Sequence, residues 1–178
     1  MRLPFLDIDQ IETERLILIP FTLKMCEELM ENNFTSLEDL DFKTSNSWPD
    51  DDFIETLPKL INNLKKVFSP TGFENWMIIK KDSKEVIGDV GFKGFSSISQ
   101  SCDIGYGIAV EHRKKGYASE ALKAMIEWAF SDDGIEEVTA SCLITNLNSK
   151  KLLERLTFKE IDRDKEYIYW SLQKGNFK

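Results

Sequence analysis

Histidine and cysteine are scarce in this sequence, and their scarcity excludes several kinds of site. One histidine and three cysteines occur among its 178 residues, and Cys26, Cys102 and Cys142 stand far apart from one another. Isolated cysteines in odd number support neither a disulfide framework nor a zinc site. We therefore expect no metal, no cysteine nucleophile and three reduced, mostly buried thiols, a pattern typical of a cytoplasmic protein.

Long apolar runs and an excess of positive charge are absent as well. The chain has no apolar stretch of the ~18 residues that a membrane helix needs, and residues 1–10 lack the basic start and apolar run of a signal peptide. The formal net charge is −8, whereas a nucleic-acid-binding domain normally presents a basic face. Neither a membrane nor a nucleic acid is therefore expected as a partner. An acidic surface suits a cationic substrate, although a role in solubility is favoured.

Hydrophobic periodicity predicts one α/β domain over residues 1–178. Apolar residues at helical spacing predict helices at 22–32, 51–68, 118–130 and 148–156. Strand-like patterns lie at 14–20, 75–80, 86–94, 102–110, 137–144, 158–161 and 167–172. Residues 35–50 look irregular, and 82–84 look like a hairpin turn. This order indicates a largely antiparallel front half followed by one strand–helix–strand crossover.

A short basic loop carries the clearest functional signal. The run Arg113-Lys114-Lys115-Gly116-Tyr117-Ala118 joins a strand pattern that ends at Val110 to the helix that runs to Phe130. Unpaired backbone N–H groups at the positive end of a helix dipole bind anions. The loop is therefore predicted to hold an anion, and a pyrophosphate suits it best.

The strand before this loop has one face of small residues. Alternation places one set of side chains on one face, namely Ile104, Tyr106, Ile108 and Val110. The other face carries Asp103, Gly105, Gly107 and Ala109. Such a face indicates a slot for an extended ligand arm, or else a bulge or a closely packed helix.

These residues resemble the GCN5-related N-acetyltransferases (GNAT). The basic loop is similar to the family's Arg/Gln-x-x-Gly-x-Gly/Ala signature, and four further segments resemble its ribosomal-protein N-acetyltransferase-like branch. Those segments are Glu12-Thr13-Glu14-Arg15-Leu16, Val86-Ile87-Gly88-Asp89-Val90-Gly91-Phe92, Asp103-Ile104-Gly105-Tyr106, and residues 146–158. The resemblance covers roughly residues 10–172. It implies a mixed, mostly antiparallel sheet of about seven strands flanked by about four helices.

The resemblance also implies a site for acetyl-CoA. Backbone N–H groups of Lys115, Gly116, Tyr117, Ala118 and Ser119 would hold its pyrophosphate, with Arg113 and Lys114 in the same loop. The backbone of Ile108, Ala109 and Val110 would pair with the pantetheine arm. Asn146 would contact the cofactor or order a water, and Asn148 would contact it from the start of the next helix. Asn148 could equally be an N-cap, and Ser149, expected near the thioester sulfur, an ordinary first-turn residue.

Acetylation of an amine needs a base and benefits from an acid. A primary amine is largely protonated near neutral pH, so a group must accept its proton. Asp103 is our predicted base, with Glu111 as the alternative. Many family members place a tyrosine where this chain has Leu153, so Ser149 or Tyr106 would stand in as the acid. His112 is expected to be a solvated loop residue or an adenosine-phosphate contact.

The function that the resemblance implies is transfer of an acetyl group from acetyl-CoA to a primary amine by direct attack. The acceptor would be a small molecule or a protein N-terminus, contacted by Trp48 and Phe42. The acidic run Asp50–Asp52 could attract an ammonium group, although helix capping is favoured. The alternatives are an acyl-CoA-binding or regulatory module with little activity, and a nucleotide-binding protein. Either a monomer or a homodimer is expected.

Overall fold

The computed structural model describes residues 10–177, which form five helices and nine strands. The strands are β1 Ile11–Glu12, β2 Leu16–Pro20, β3 Lys43–Thr44, β4 Asn75–Lys80, β5 Glu85–Ser96, β6 Ser101–Ile108, β7 Glu137–Leu143, β8 Lys159–Arg163 and β9 Tyr167–Gln173. The helices are α1 Leu23–Met30, α2 Thr35–Asp39, α3 Asp51–Leu64, α4 Tyr117–Phe130 and α5 Leu147–Arg155. Among these residues no helix has the length and apolar character to cross a membrane.

All nine strands belong to one sheet. Its order is β1-β2-β4-β5-β6-β7-β9-β8, with the short β3 beside β5. Every pairing is antiparallel except β3 with β5 and β6 with β7. The predicted mixed, mostly antiparallel sheet is therefore confirmed. The strand count exceeds seven because two two-residue strands, β1 and β3, have too little pattern to read from sequence.

The sheet opens between β6 and β7. These parallel strands pair only where residues 101–103 meet residues 137–139, although β6 continues to Ile108. From residue 104 onward, that edge of β6 has no partner strand within the described part of the chain. Helix α4 follows β6 and carries the chain across to β7, so it forms the predicted crossover.

Two apolar cores cover the two faces of the sheet. Successive residues of β2 alternate between them, since Leu18 belongs to the first core and Ile17 to the second. The first core packs against α4 and includes Leu122 and Ile126. The second core packs against α1 and α3 and includes Leu57. The cysteines are free and buried, in agreement with the expectation of buried thiols.

The helix predicted at 51–68 is shorter than expected. It ends at Leu64, and Phe68, predicted on its apolar face, is 97% exposed. Pro58 lies inside the helix rather than in its first turns, and it is tolerated on an exposed face. The strand predicted to reach Val110 ends at Ile108, because Val110–His112 forms a 3-10 turn.

Candidate active site

A cleft of about 1010 Å³ runs along β6 and is lined by residues of α3, α4 and α5. One end lies at the basic loop and the N-termini of α4 and α5. The other end lies between β5 and the first half of α3. Both ends belong to one continuous cavity, so a ligand at the loop and a second ligand beside α3 can meet over β6.

The basic loop forms the first end of the cleft. Gly116 is the N-cap of α4 and has φ of 85°, a left-handed conformation that favours glycine. The first N–H groups of a helix have no acceptor within it, and the residues that carry them, Tyr117, Ala118 and Ser119, line the cleft. A Cβ built on Gly116 would lie 3.2 Å from Arg15 Nη2. Helix N-termini of this kind bind anions in other proteins.

Arg15 braces this loop from the start of the sheet. Its guanidinium forms an ion pair of 2.7 Å with Glu120 and donates to the carbonyl of Lys115 at 3.0 Å. The same group lies over the Tyr117 ring, 4.6 Å from the ring centroid. Sequence reasoning did not find Arg15 or Glu120, because the contact joins residues about a hundred positions apart.

Two basic side chains of the loop bind backbone rather than point at a ligand. Arg113 Nε donates to the Ile108 carbonyl at 2.7 Å, and Lys115 Nζ donates to the Glu111 carbonyl at 2.8 Å. Lys114 lines the cleft, and Arg113 lines it as well, whereas Lys115 does not. The side chains of Arg113 and Lys115 therefore hold the backbone of the loop. Lys114 is the basic side chain of the loop that remains to contact a ligand in the cleft.

The small-residue face of β6 lines the cleft as predicted. Gly105 and Gly107 lie in its wall, while Ile104 and Ile108 belong to the first core. Pairing of an arm with Ile108–Val110 stays a prediction; within this stretch the Ile108 carbonyl already accepts from Arg113. Ala109 N also donates to the Ile87 carbonyl at 2.8 Å. Neither Ala109 nor Val110 lines the cavity, and the unpaired edge lies at 104–108 instead.

The start of α5 brings three predicted polar residues to the cleft. Asn146, not Asn148, is the N-cap, and its Oδ1 accepts from the Ser149 N–H at 3.1 Å. Asn148 and Ser149 line the cavity beside it. Leu153, where the family's tyrosine would stand, is completely buried in the first core. Lys151 and Arg155 also line the cleft and add positive charge that sequence reasoning missed.

The Tyr106 hydroxyl is buried and accepts or donates no hydrogen bond within residues 10–177. Burial raises the pKa of Tyr106 to about 12, and the nearby Ser149 hydroxyl offsets part of that rise. The hydroxyl therefore keeps its proton at neutral pH. It is a proton donor that lies next to the Ser149 hydroxyl.

Asp103 does not lie in the cleft lining, contrary to the prediction. Its Oδ2 lies 3.0 Å from Lys93 Nζ, and its Oδ1 accepts from the Thr139 hydroxyl at 3.0 Å. The Lys93 side chain reaches this acid across the bare surface of Gly105, where a Cβ would lie 3.5 Å from Lys93 Cε. The alternative base, Glu111, also lies outside, and it accepts from the Ser47 N–H at 3.1 Å.

A different carboxylate, Asp89 of β5, lines the cleft. It is only 9% exposed, and its Oδ2 accepts from Asn75 Nδ2 at 3.2 Å. Burial, and then the charge of Asp50, raises the pKa of Asp89 to about 7. The available sequence signal was an acid inside an otherwise apolar strand, between Gly88 and Gly91.

The acceptor contacts predicted from the sequence belong to the second core. Trp48 is 4% exposed and stacks on Phe21, with Phe53 also in contact, while the partly buried Phe42 packs against the same cluster. Neither Trp48 nor Phe42 lines the cleft. The indole N–H of Trp48 faces Asp89, which does line the cleft.

Acids from α3 and the sheet line the second end of the cleft instead. The acidic residues are Asp50, Asp52, Glu55, Glu74 and Asp89, against Lys59 and Lys93. Asp50 caps α3 by accepting from the Phe53 N–H at 2.9 Å, so the favoured capping role is confirmed. The cleft is thus basic at one end and acidic at the other.

His112 is buried, so the first of its two predicted roles, that of a solvated loop residue, is wrong. It is 8% exposed, and its Nε2 lies 3.4 Å from a Glu85 carboxylate oxygen. Its Nδ1 has no partner within the described residues. The residue lines the basic end of the cleft, so the adenosine-phosphate contact stays a prediction.

Comparison with known proteins gives the following likenesses. An acetyltransferase (GNAT) domain model matches residues 15–159. The uncharacterized N-acetyltransferase YjdG of Bacillus subtilis is 34% identical over 160 residues, which cover 90% of this chain and 95% of that one. The crystal structure of ribosomal-protein-S5-alanine acetyltransferase from Vibrio fischeri has a TM-score of 0.67 at 18% identity, over 95% of this chain and 98% of that one. The ribosomal L7/L12 acetyltransferase RimL in complex with coenzyme A has a TM-score of 0.66 at 15% identity, over 92% and 97%.

Proposed function

Since the chain belongs to the acetyltransferase (GNAT) family, we propose that it moves an acetyl group from acetyl-CoA to a primary amine, with both bound at once. The observation that carries this is the continuity of one cleft. It runs from the anion site at α4, along the unpaired edge of β6, to the acidic wall beside α3. A pyrophosphate, a thin arm and an ammonium group suit these three stretches in that order.

Two features of the free protein fit acetyl-CoA. The left-handed Gly116 leaves room at the helix N-terminus that a side chain would fill, and the buried Tyr106 hydroxyl has no hydrogen-bond partner at normal distance among residues 10–177. Buried polar groups normally have partners, so an orphan needs an explanation. When bound, acetyl-CoA would supply an acetyl group activated as a thioester.

The chain's own residues would bind, orient and protonate. The first N–H groups of α4, with Lys114, would hold the diphosphate, and the β6 edge at 104–108 would orient the arm. Tyr106 keeps its proton at neutral pH and could therefore donate it to the departing sulfur, with Ser149 as the neighbouring donor. Asn146 fixes the start of α5 so that Ser149 faces this point.

The acceptor within this proposal is a small molecule or a protein N-terminus. The acidic end of the cleft favours an ammonium group over a neutral or anionic ligand. A monomer or a homodimer remains our prediction. A cytoplasmic location also remains one, because free thiols persist under reducing conditions.

A binding experiment tests the loop assignment. Gly116→Glu adds a side chain and a negative charge at the anion site, so we expect CoA affinity to fall by about 100-fold or more, roughly 2.7 kcal/mol. Calorimetric titration with CoA measures it. Gly94→Glu is the matched control, because Gly94 also has positive φ, 115°, but a Cβ there meets nothing within 4 Å.

The proposal fails if Gly116→Glu binds CoA as tightly as the wild type. A second experiment measures acetyl transfer by the wild type. It follows release of the free CoA thiol from acetyl-CoA with a panel of 1,4-diaminobutane, tyramine and tripeptides that begin with Ala or Ser. Transfer to at least one amine is expected. Tight CoA binding without transfer to any of them would favour the acyl-CoA-binding module.

A further inference from the structure

Asp89 is a buried carboxylate without a counter-ion. No lysine, arginine or histidine within residues 10–177 forms an ion pair with it. The Asn75 amide donates to it at 3.2 Å, and the indole N–H of Trp48 also faces it. Burying an ionised group without a paired charge is costly. A group held at such a cost in the wall of a cleft is a functional candidate.

The position of Asp89 places it beside the unpaired strand edge. Asp89 on β5 is opposite Gly107 on β6 in the register. A Cβ on Gly107 would lie 3.4 Å from Asp89 Oδ1, so the bare glycine keeps this oxygen open to the cleft. Neighbouring strands lie about 4.8 Å apart, so Asp89 is one strand away from the edge proposed to hold the acetyl-bearing arm.

We propose that Asp89 is the general base that takes a proton from the acceptor's ammonium group. This inference rests on the proposed function. The ammonium nitrogen gives one proton to the Asp89 carboxylate, and its freed electron pair forms the bond to the acetyl carbon. The carbon–sulfur bond breaks, its electron pair leaves with sulfur, and sulfur receives a proton from Tyr106 or Ser149. The nitrogen's remaining excess proton and the proton held by Asp89 then leave, one to the deprotonated Tyr106 or Ser149 and the other to solvent, so that each side chain returns to its starting state.

The surroundings of Asp89 suit this role. Asp50 and Asp52 face it from α3, and Asn75 and Trp48 face it from β4 and the loop before α3. Glu74, Lys59 and Lys93 line the same cavity, but Lys93 is paired with Asp103. The pKa of Asp89, about 7, places the carboxylate where a base works near neutral pH. The acidic neighbours also draw an ammonium group toward it.

The test is Asp89→Asn, which keeps the shape and removes the base. We expect kcat with 1,4-diaminobutane, or with the best amine of the panel, to fall by about 100-fold or more. The Kd for acetyl-CoA should change by less than about threefold. Asp162→Asn, on the exposed strand β8, is the control for loss of one carboxylate and should match the wild type.

The pH profile separates a base from a structural residue. Wild-type kcat should rise as pH passes through about 7, the pKa of Asp89, and this rise should be absent in Asp89→Asn. Asp103→Asn compares the two acids directly. A large loss in Asp103→Asn with little change in Asp89→Asn would assign the base to Asp103 and overturn the inference.

Other results would overturn it in distinguishable ways. If Asp89→Asn keeps full kcat, or if it loses acetyl-CoA binding, the base role is contradicted. The proposed function still holds in that case, provided that the wild type transfers the acetyl group. A wild type that binds CoA but acetylates no amine of the panel overturns the proposed function, and the base role with it.

Thermal unfolding adds a second readout. The folded-state pKa of Asp89 lies above its ordinary 3.8, so the wild type loses stability as pH rises between these values. Asp89→Asn should therefore gain in melting temperature relative to the wild type between pH 4 and about 7. A relative loss over that range would indicate a structural role and contradict the inference.

Discussion

Tyr106 and Asp89 line the cleft from adjacent strands. Burial changes the pH range over which each side chain holds its proton. The tyrosine keeps its proton well above neutral pH, whereas the carboxyl group exchanges its proton near neutral pH. Desolvation raises both pKa values, because it disfavours the charged form. One residue is thus suited to give a proton and the other to accept one at the same pH.

Tyr106→Phe isolates the donor. The hydroxyl has no hydrogen-bond partner at normal distance in the described part of the chain, so its removal should leave the melting temperature unchanged or higher. Turnover should fall by about 10-fold or more if the hydroxyl protonates the leaving sulfur. Tyr169→Phe is the control, since the Tyr169 hydroxyl donates to Asp164 at 2.7 Å away from the cleft. Lower stability with unchanged kcat would refute the donor role.

Single residues were the hardest level to predict from the sequence. The placement of Gly105 and Gly107 followed from alternation alone, because β6 is regular. Asp103 satisfies the same alternation, yet it forms an ion pair with Lys93 of the neighbouring strand and does not line the cleft. Trp48 was predicted to contact a substrate because its segment has no regular apolar spacing, although it packs in the second core. Contacts between distant segments decide such cases, and a single sequence does not contain them.

Among the elements, α5 shows how a cap can serve a site. Asn146 ends the loop after β7 and begins the helix whose first turn carries Asn148 and Ser149 into the cleft. Its side-chain oxygen is used in capping, which leaves the amide N–H₂ group for a ligand. The two roles use different atoms, so substitutions can separate them.

Asn146→Ala should lower the free energy of unfolding by about 1 kcal/mol through loss of the cap. Asn146→Asp keeps a capping oxygen and should retain most of that stability. It removes the amide donor, however, and adds negative charge near the anion site, so CoA affinity should still fall. Urea unfolding and CoA titration measure the two effects. Full CoA affinity in Asn146→Asp would exclude the amide contact.

Element boundaries were predicted well where the apolar residues have a clear, regular spacing. Residues 75–80 and the end of α4 at Phe130 match the structure, since both have clear apolar spacing. The last four residues of the segment 51–68 did not match, because the helix stops at Leu64 and Phe68 turns to solvent. The short α2 and β3 in 35–50 have too few residues to set a period.

At the scale of the whole molecule, the two cores share their strands. Leu18 and Ile17 are adjacent in sequence and enter opposite cores. Neither core can therefore open without disturbing the same sheet. We expect the protein to unfold as one cooperative unit.

Matched truncations test this coupling. Leu57→Ala and Ile126→Ala each remove a completely buried side chain, one from each core, and each should cost about 2–5 kcal/mol. Tryptophan fluorescence and far-ultraviolet circular dichroism should report coincident transitions in both variants. Separate transitions in Leu57→Ala would show that the α1–α3 side unfolds independently.

The opposite charges at the two ends of the cleft have a consequence for the order of events. Acetylation converts a cationic amine into a neutral amide, so the proposed reaction removes the attraction between the acceptor and the acids beside α3. The basic end is unaffected, because CoA keeps its phosphates. The acetylated product should accordingly dissociate before CoA. A neutral amide should also bind the acidic end of the cleft far more weakly than the unreacted amine, and it should therefore be a poor inhibitor.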